Sequence, residues 1–275
     1  MISRDALSPS PRAPVLAPAR AWLPGFLDSS PAFAPLRAAG APLSAFGDFP
    51  DVSDYGRLFA PEGLVAGDGA PARFVLQREG GQRRAPTTLS ELYDGRIFER
   101  GEIPTRARSF HDLFNALVWA SFPAAKRALN ARQYRALAAR LPARFTALPG
   151  ARTREQDALA MLDEGGILLV SGEADARDVR AAHVAGDGDA LEALVRAGRL
   201  SALVFGHALY EHLVSSPVPV RGRGVVLVSA ALPRGDAALR PSADRLLAEL
   251  LAESDGFPET TSAPAVPLAL ATGGG

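Results

Sequence analysis

Ser109-Phe110-His111-Asp112-Leu113-Phe114-Asn115-Ala116-Leu117-Val118-Trp119-Ala120-Ser121-Phe122-Pro123-Ala124-Ala125-Lys126-Arg127-Ala128-Leu129-Asn130 is the stretch on which the fold reading turns. Ser109 is placed to cap a helix over His111 to Ser121, and Pro123 suits the first position of a second helix running to about Leu141, which Pro142 ends. Phe122 precedes a proline and so marks the joint between the two.

Working outward, Thr153-Arg154-Glu155-Gln156 has the form of a capping box and opens a helix to Met161 or Leu162. Gly165-Gly166 then turns the chain into Ile167-Leu168-Leu169-Val170, a buried strand. Arg73 to Gln77 reads as a strand closed by Glu79-Gly80-Gly81, and Leu89 to Arg100 as a short helical stretch. The region Ala174 to Asp189, with Gly186-Asp187-Gly188-Asp189, reads as linker or loop. Helices are expected at Ala190 to Ala197, Ala202 to Val214 (closed by Pro217) and Ser242 to Glu253, with a strand at Val225 to Val228 entered through a turn at Arg221-Gly222-Arg223-Gly224. Residues 22–68, rich in proline, glycine and aromatics, read as short helical turns laid over a core. The mixture lacks regular β-α alternation and points to the α+β class: one mostly helical domain over 21–260 with a small mixed sheet, between loose tails at 1–20 and 261–275.

Composition narrows the chemistry. Thirty acidic and thirty basic residues balance, so no overall field draws the chain to nucleic acid or to an anionic membrane. There is no cysteine, which leaves His, Asp, Glu and Lys for catalysis or metal binding. Met1 to Arg20 holds four prolines and an Asp in place of a basic cap and apolar run, and no stretch is apolar enough to span a bilayer, so a soluble cytoplasmic protein is expected. A small-molecule ligand is the expected partner. Oligomeric state is left open.

Lys126 is the only lysine beside 29 arginines, and Asn115 and Asn130 are the only asparagines. Three residues of two types that the rest of the chain lacks therefore fall within sixteen positions, and Lys offers what Arg cannot, an amine whose proton can be tuned. His111 and Asn115 lie four apart and share a helix face, with Trp119 one turn further. Asp112 points about 100° away. The positive end of the helix dipole favours a neutral His111, able to accept a proton or bind a metal. A His and an Asp in a first turn also serve as mere caps. Lys126, four before Asn130, reads either as an anion-binding or basic group or as a solvated helix cation.

Asp163 and Glu164 close a helix with the wrong sign for its dipole, which a nearby cation, metal or arginine would compensate, as would plain solvation past the last turn. Arg154 and Asp157, three apart, either bind substrate or pair with each other. His207 and Glu211 share a helix face and read either as a local hydrogen-bonded pair or as metal ligands. With a third ligand such as His111 or Asp163 they would complete a His, His, carboxylate metal set, so a divalent metal is the one cofactor considered. No G-x-S-x-G elbow, phosphate-binding loop or dinucleotide fingerprint is present, which argues against the standard enzymes built on them.

Ile103-Pro104-Thr105-Arg106, Phe110 to Trp119, Phe122-Pro123, Lys126, Leu129 and Asn130, then Arg154, Asp157-Ala158-Leu159, Asp163-Glu164-Gly165, and Gly206-His207-Ala208-Leu209 with Glu211, resemble in order the motifs of a bacterial family known as domain of unknown function 3025. The match spans roughly Ile97 to Leu213. It implies membership and brings no activity, substrate or cofactor, but the polar residues singled out fall on the family pattern, whereas His183, His212 and Gly186 to Asp189 do not.

The expectation is a polar pocket with His111, Asp112, Asn115 and Lys126 as catalytic residues and Arg106, Trp119, Arg154 and Asp157 against the substrate. His207, Glu211, Asp163 and Glu164 form its metal set. Hydrolysis or group transfer on a small anionic substrate is the favoured chemistry. The alternatives are a non-catalytic module in which the same residues form a buried network, and nucleic-acid binding through Arg83, Arg84, Arg221 and Arg223.

Overall fold

The structure is a computed structural model and describes residues 21–77, 88–146, 148, 150–215, 220–253 and 265–272. Short turns open it: α1 (Arg37–Gly40) and α2 (Tyr55–Phe59) among 3-10 turns, then a three-stranded sheet of β1 (Leu64–Val65), β2 (Pro71–Leu76) and β3 (Glu102–Thr105), with α3 (Tyr93–Arg100) between β2 and β3. The expected helix pair follows as α4 (Phe110–Ser121) and α5 (Pro123–Ala138), then α6 (Arg154–Gly165). A second sheet has the order β5-β4-β6-β7: β4 (Gly166–Gly172), β5 (Leu200–Val204), β6 (Arg221–Ser229) and β7 (Ala265–Pro267). Around it lie α7 (Ala176–Ala185), α8 (Gly188–Arg196), α9 (His207–Ser215) and α10 (Asp236–Ala252). β4 runs parallel to β6 and antiparallel to β5, while β6 and β7 are antiparallel. The α+β class holds, with two small mixed sheets.

α4 is the hub. Every residue of it is buried except His111 and Ala120, as an almost wholly apolar helix requires. Phe110 and Phe114 enter an aromatic cluster with Trp22, Phe26, Phe33, Phe49 and Tyr210, which ties the opening turns and α9 to this helix. Ser109 caps α4 by accepting from Asp112 N, and the Thr153–Gln156 capping box on α6 is formed. The N-cap of α5 is Phe122, which has no side-chain acceptor. Asp244 of α10 supplies one instead, accepting from Ala124 N at 3.2 Å and Ala125 N at 2.7 Å. Asp244→Ala should lower unfolding free energy by about 1–3 kcal/mol, because the buried Ala125 N–H and the partly buried Ala124 N–H lose their acceptor. Asp244→Asn, which keeps an oxygen, should recover part of that in the same urea titration.

Several expectations are corrected. Ala174 to Asp189 is not a loop. It contains α7, and the Gly-Asp-Gly-Asp run is a cap pair: Gly186 ends α7 at φ 67°, and Asp187 starts α8 by accepting from Ala190 N. Only Val179, Ala182 and His183 of α7 are buried, too thin a stripe to announce a helix. Residues 202–204 lie in β5 as the strand beside β4, so the helix expected from Ala202 begins only at His207. The Arg221-Gly222-Arg223-Gly224 run is strand, not turn. A Cβ on Gly224 would meet His183 Nε2 at 2.5 Å, so the bare position leaves room for that imidazole over the sheet. The last helix starts six residues early and carries Pro241 inside it. Residues 265–272, expected in a loose tail, form β7 and a 3-10 turn that bury Val266, Leu268 and Leu270. The expectations at 1–20, Glu79-Gly80-Gly81, Arg83, Arg84, Pro217, 261–264 and 273–275 lie outside the described residues. Among the described residues no helix is long and apolar enough to cross a membrane.

Candidate reaction centre between α4, α6 and α9

Two linked groups of polar side chains lie where these helices meet. The inner one surrounds Lys126. Its side chain is 4% exposed, and its ammonium donates to Asn115 Oδ1 at 2.8 Å and Asp163 Oδ1 at 2.5 Å, 5.4 Å from the centre of the Trp119 ring. Asn115 uses its amide nitrogen on Tyr93 Oη at 3.1 Å, and Asn130 donates to Asp94 O at 3.1 Å. Burial acts to raise the Asp163 carboxyl, but Lys126, with His207 and His111, holds it below the usual range. This is the cation that the acidic end of α6 called for.

The outer group contains both motif histidines. His111 Nε2 and His207 Nε2 face each other at 3.0 Å, with ring centres 4.5 Å apart and planes at 73°. Glu164 Oε2 lies 3.3 Å from His207 Nε2 and 3.9 Å from His111 Nε2. Glu211, one helical turn after His207, bonds His111 Nδ1 at 3.0 Å. His207 is 5% exposed, while His111 at 29% and Glu164 at 51% open the group to solvent. The hydrogen bond with Glu211 raises the pKa of His111 against the opposing effect of burial, and Glu164 adds to the rise. Burial pushes His207 down to about 4. It also pushes the Glu164 carboxyl up, with Asp163 beside it contributing.

The approach depends on Gly206. Its amide and that of Phe205 both donate to Gly166 O, and a Cβ there would lie 2.4 Å from Gly166 N and 2.6 Å from the carbonyl carbon of Glu164. A bare residue lets the start of α9 sit on the α6–β4 turn, which places His207 beside Glu164.

His111, Lys126, Asp163, Glu164, His207 and Glu211 are thus brought together, but in other groupings than expected. Lys126 and Asn115 satisfy each other in the interior and do not face solvent. Asp112 accepts from Arg106 N, Nε and Nη2, so both residues brace the entry to α4. Trp119 is 1% exposed and beyond a substrate's reach. Arg154 is exposed, and among the described residues it does not pair with Asp157; neither joins the cluster. The shift of His111 runs opposite to the one the helix dipole alone would give, because the hydrogen bond to the Glu211 carboxylate in direct contact raises its pKa. Tyr93 is the member that sequence reading missed. It lies on α3, with no spacing that ties it to Asn115.

Residues 73–273 match the family model described as Protein of unknown function (DUF3025). The chain belongs to DUF3025. The match extends beyond the 97–213 of the motifs on both sides and takes in both sheets of this DUF3025 chain apart from β1 and the start of β2. No curated protein and no solved structure matches it.

Proposed function

We propose that the chain is an enzyme whose reaction centre is the outer group, His111, His207, Glu164 and Glu211, acting by hydrolysis or group transfer on a small molecule. The observation that carries this is the meeting of two imidazole Nε2 atoms, from helices 96 residues apart in sequence, at a solvent-reachable edge beside a half-exposed carboxylate. Glu211 on His111 Nδ1 fixes the ring and aims its Nε2 at His207 and Glu164, so that this edge can hold a proton or a cation. Proton transfer at such an edge accelerates a reaction by roughly 10²–10⁴-fold. Lys126 and Arg106 are bonded to Asp163 and Asp112, so the charge of an anionic substrate would have to be met within the outer group itself.

A panel of nitrophenyl esters, phosphate monoesters and phosphate diesters tests this. His111→Ala should lower turnover of whichever substrate reacts by about 10²-fold or more while the circular dichroism spectrum stays native. Equal turnover by the variant would sink the reading.

The second reading, a non-catalytic module, is favoured by the inner group, in which Lys126 and Asn115 are buried and mutually satisfied as a structural network requires. It expects His111→Ala to leave every ligand-induced melting shift unchanged. Nucleic-acid binding has less support: Arg221 bonds Ala265 O and Arg223 lies against Met161 Sδ.

A further inference from the structure

We infer that the outer group is a binding site for a first-row divalent transition metal, with His111 Nε2, His207 Nε2 and Glu164 Oε2 as its protein ligands. Their separations of 3.0, 3.3 and 3.9 Å define a triangle, and the point equidistant from its corners lies about 2.0 Å from each, a zinc–nitrogen or zinc–oxygen bond length. Calcium bonds are longer, about 2.3–2.6 Å, and take oxygen ligands. Magnesium fits the length but also prefers oxygen. Two imidazoles and one carboxylate suit zinc and its neighbours.

The surroundings are those of a metal site. An imidazole bound through Nε2 usually gives its Nδ1 proton to a carboxylate, which fixes the tautomer and ring orientation. Glu211 stands at 3.0 Å from His111 Nδ1 in that place. His207 Nδ1 is buried beside Asp163, whose Oδ1 lies 3.8 Å away and whose backbone also acts on the ring. Without an ion, two imidazole nitrogens at 3.0 Å need a proton between them. A cation in the triangle replaces that proton and satisfies both rings at once. The Lys126 ammonium keeps Asp163 in the second rank, so Asp163 and Glu211 support the ligands and are not ligands themselves. Three protein ligands with Glu164 half exposed leave coordination open toward solvent, as catalytic rather than closed structural sites do. What the ion would do in turnover rests on the enzyme reading above. Its binding does not.

The test is titration of the untagged, chelator-treated full chain with Zn²⁺ alone and with Mg²⁺ alone, by calorimetry and thermal melting. One Zn²⁺ per chain is expected, with a higher melting temperature and at least 100-fold weaker Mg²⁺ binding. Glu164→Gln should weaken Zn²⁺ at least 100-fold. Glu211→Gln should weaken it roughly 10–100-fold through the orientation of His111. Both side chains are partly exposed, so folding should survive. His212→Ala, an exposed histidine on the same helix, should bind as the wild type does. No stoichiometric Zn²⁺, an undiminished Kd in Glu164→Gln, or loss of binding in His212→Ala overturns the proposal. None of these readouts needs activity, so a chain that binds zinc without turning over a substrate would separate this inference from the functional reading.

Discussion

Lys126→Met is expected to lower the unfolding free energy by about 3–5 kcal/mol, because it leaves the largely buried Asp163 carboxylate without its cation. Asn115 Oδ1 loses its donor in the same step. Pairing the change with Asp163→Leu should recover much of the loss, since removing both members of a buried pair is far milder than removing one. Urea titrations of the two single variants and the double variant give the coupling directly. Additive losses would show that Lys126 and Asp163 do not act as a pair.

The arginine variant addresses why a chain with 29 arginines keeps one lysine. The amine occupies a slot 4% exposed between Asn115, Asp163 and the face of Trp119. A guanidinium is planar and longer, and forcing it in should cost about 1–3 kcal/mol through overpacking. Lysine is kept here for its size and compact charge. A residue kept against the composition of the chain marks a fixed environment, and in this molecule that environment is the foundation of the centre. The reacting edge proposed above belongs to the histidines.

The two helices around Pro123 and the buried strand after Gly165-Gly166 were legible because their signals are local: a capping serine, a proline at a first turn, an unbroken apolar run. Ala202–Val204 was misread as the start of a helix because so short an apolar run carries no period long enough to tell strand from helix. The identity of the residues in the centre was legible from type and rarity. Their grouping was not. Asp112 lies beside His111 in sequence yet turns to Arg106, whereas Glu211 reaches His111 from 100 residues away. Helix spacing says which residues share a face, but which faces meet is decided by packing. Here the Phe114–Tyr210 stack brings α4 against α9, and Gly206 brings α9 against α6.

Gly206→Ala should therefore be the most damaging single methyl addition near the centre. The new Cβ would lie 2.4 Å from Gly166 N, 2.5 Å from Gly165 N and 2.6 Å from the Glu164 carbonyl carbon, all backbone atoms that no rotamer change can move. The start of α9 must retreat, stretching the bonds from Phe205 N and Gly206 N to Gly166 O, now 3.0 and 2.9 Å. A loss of about 3 kcal/mol is expected for such overpacking. Because His207 is the next residue, the same retreat widens the His207–Glu164 gap of 3.3 Å, so the zinc affinity proposed above should fall together with stability. Gly165→Ala is the control. A Cβ there meets nothing within 4 Å, and the residue closes α6 in a helical position, so its stability should stay within about 0.5 kcal/mol of wild type. If the two alanine variants melt alike, Gly206 is not the contact that sets α9 against α6, and the placement of His207 must come from the aromatic stack alone.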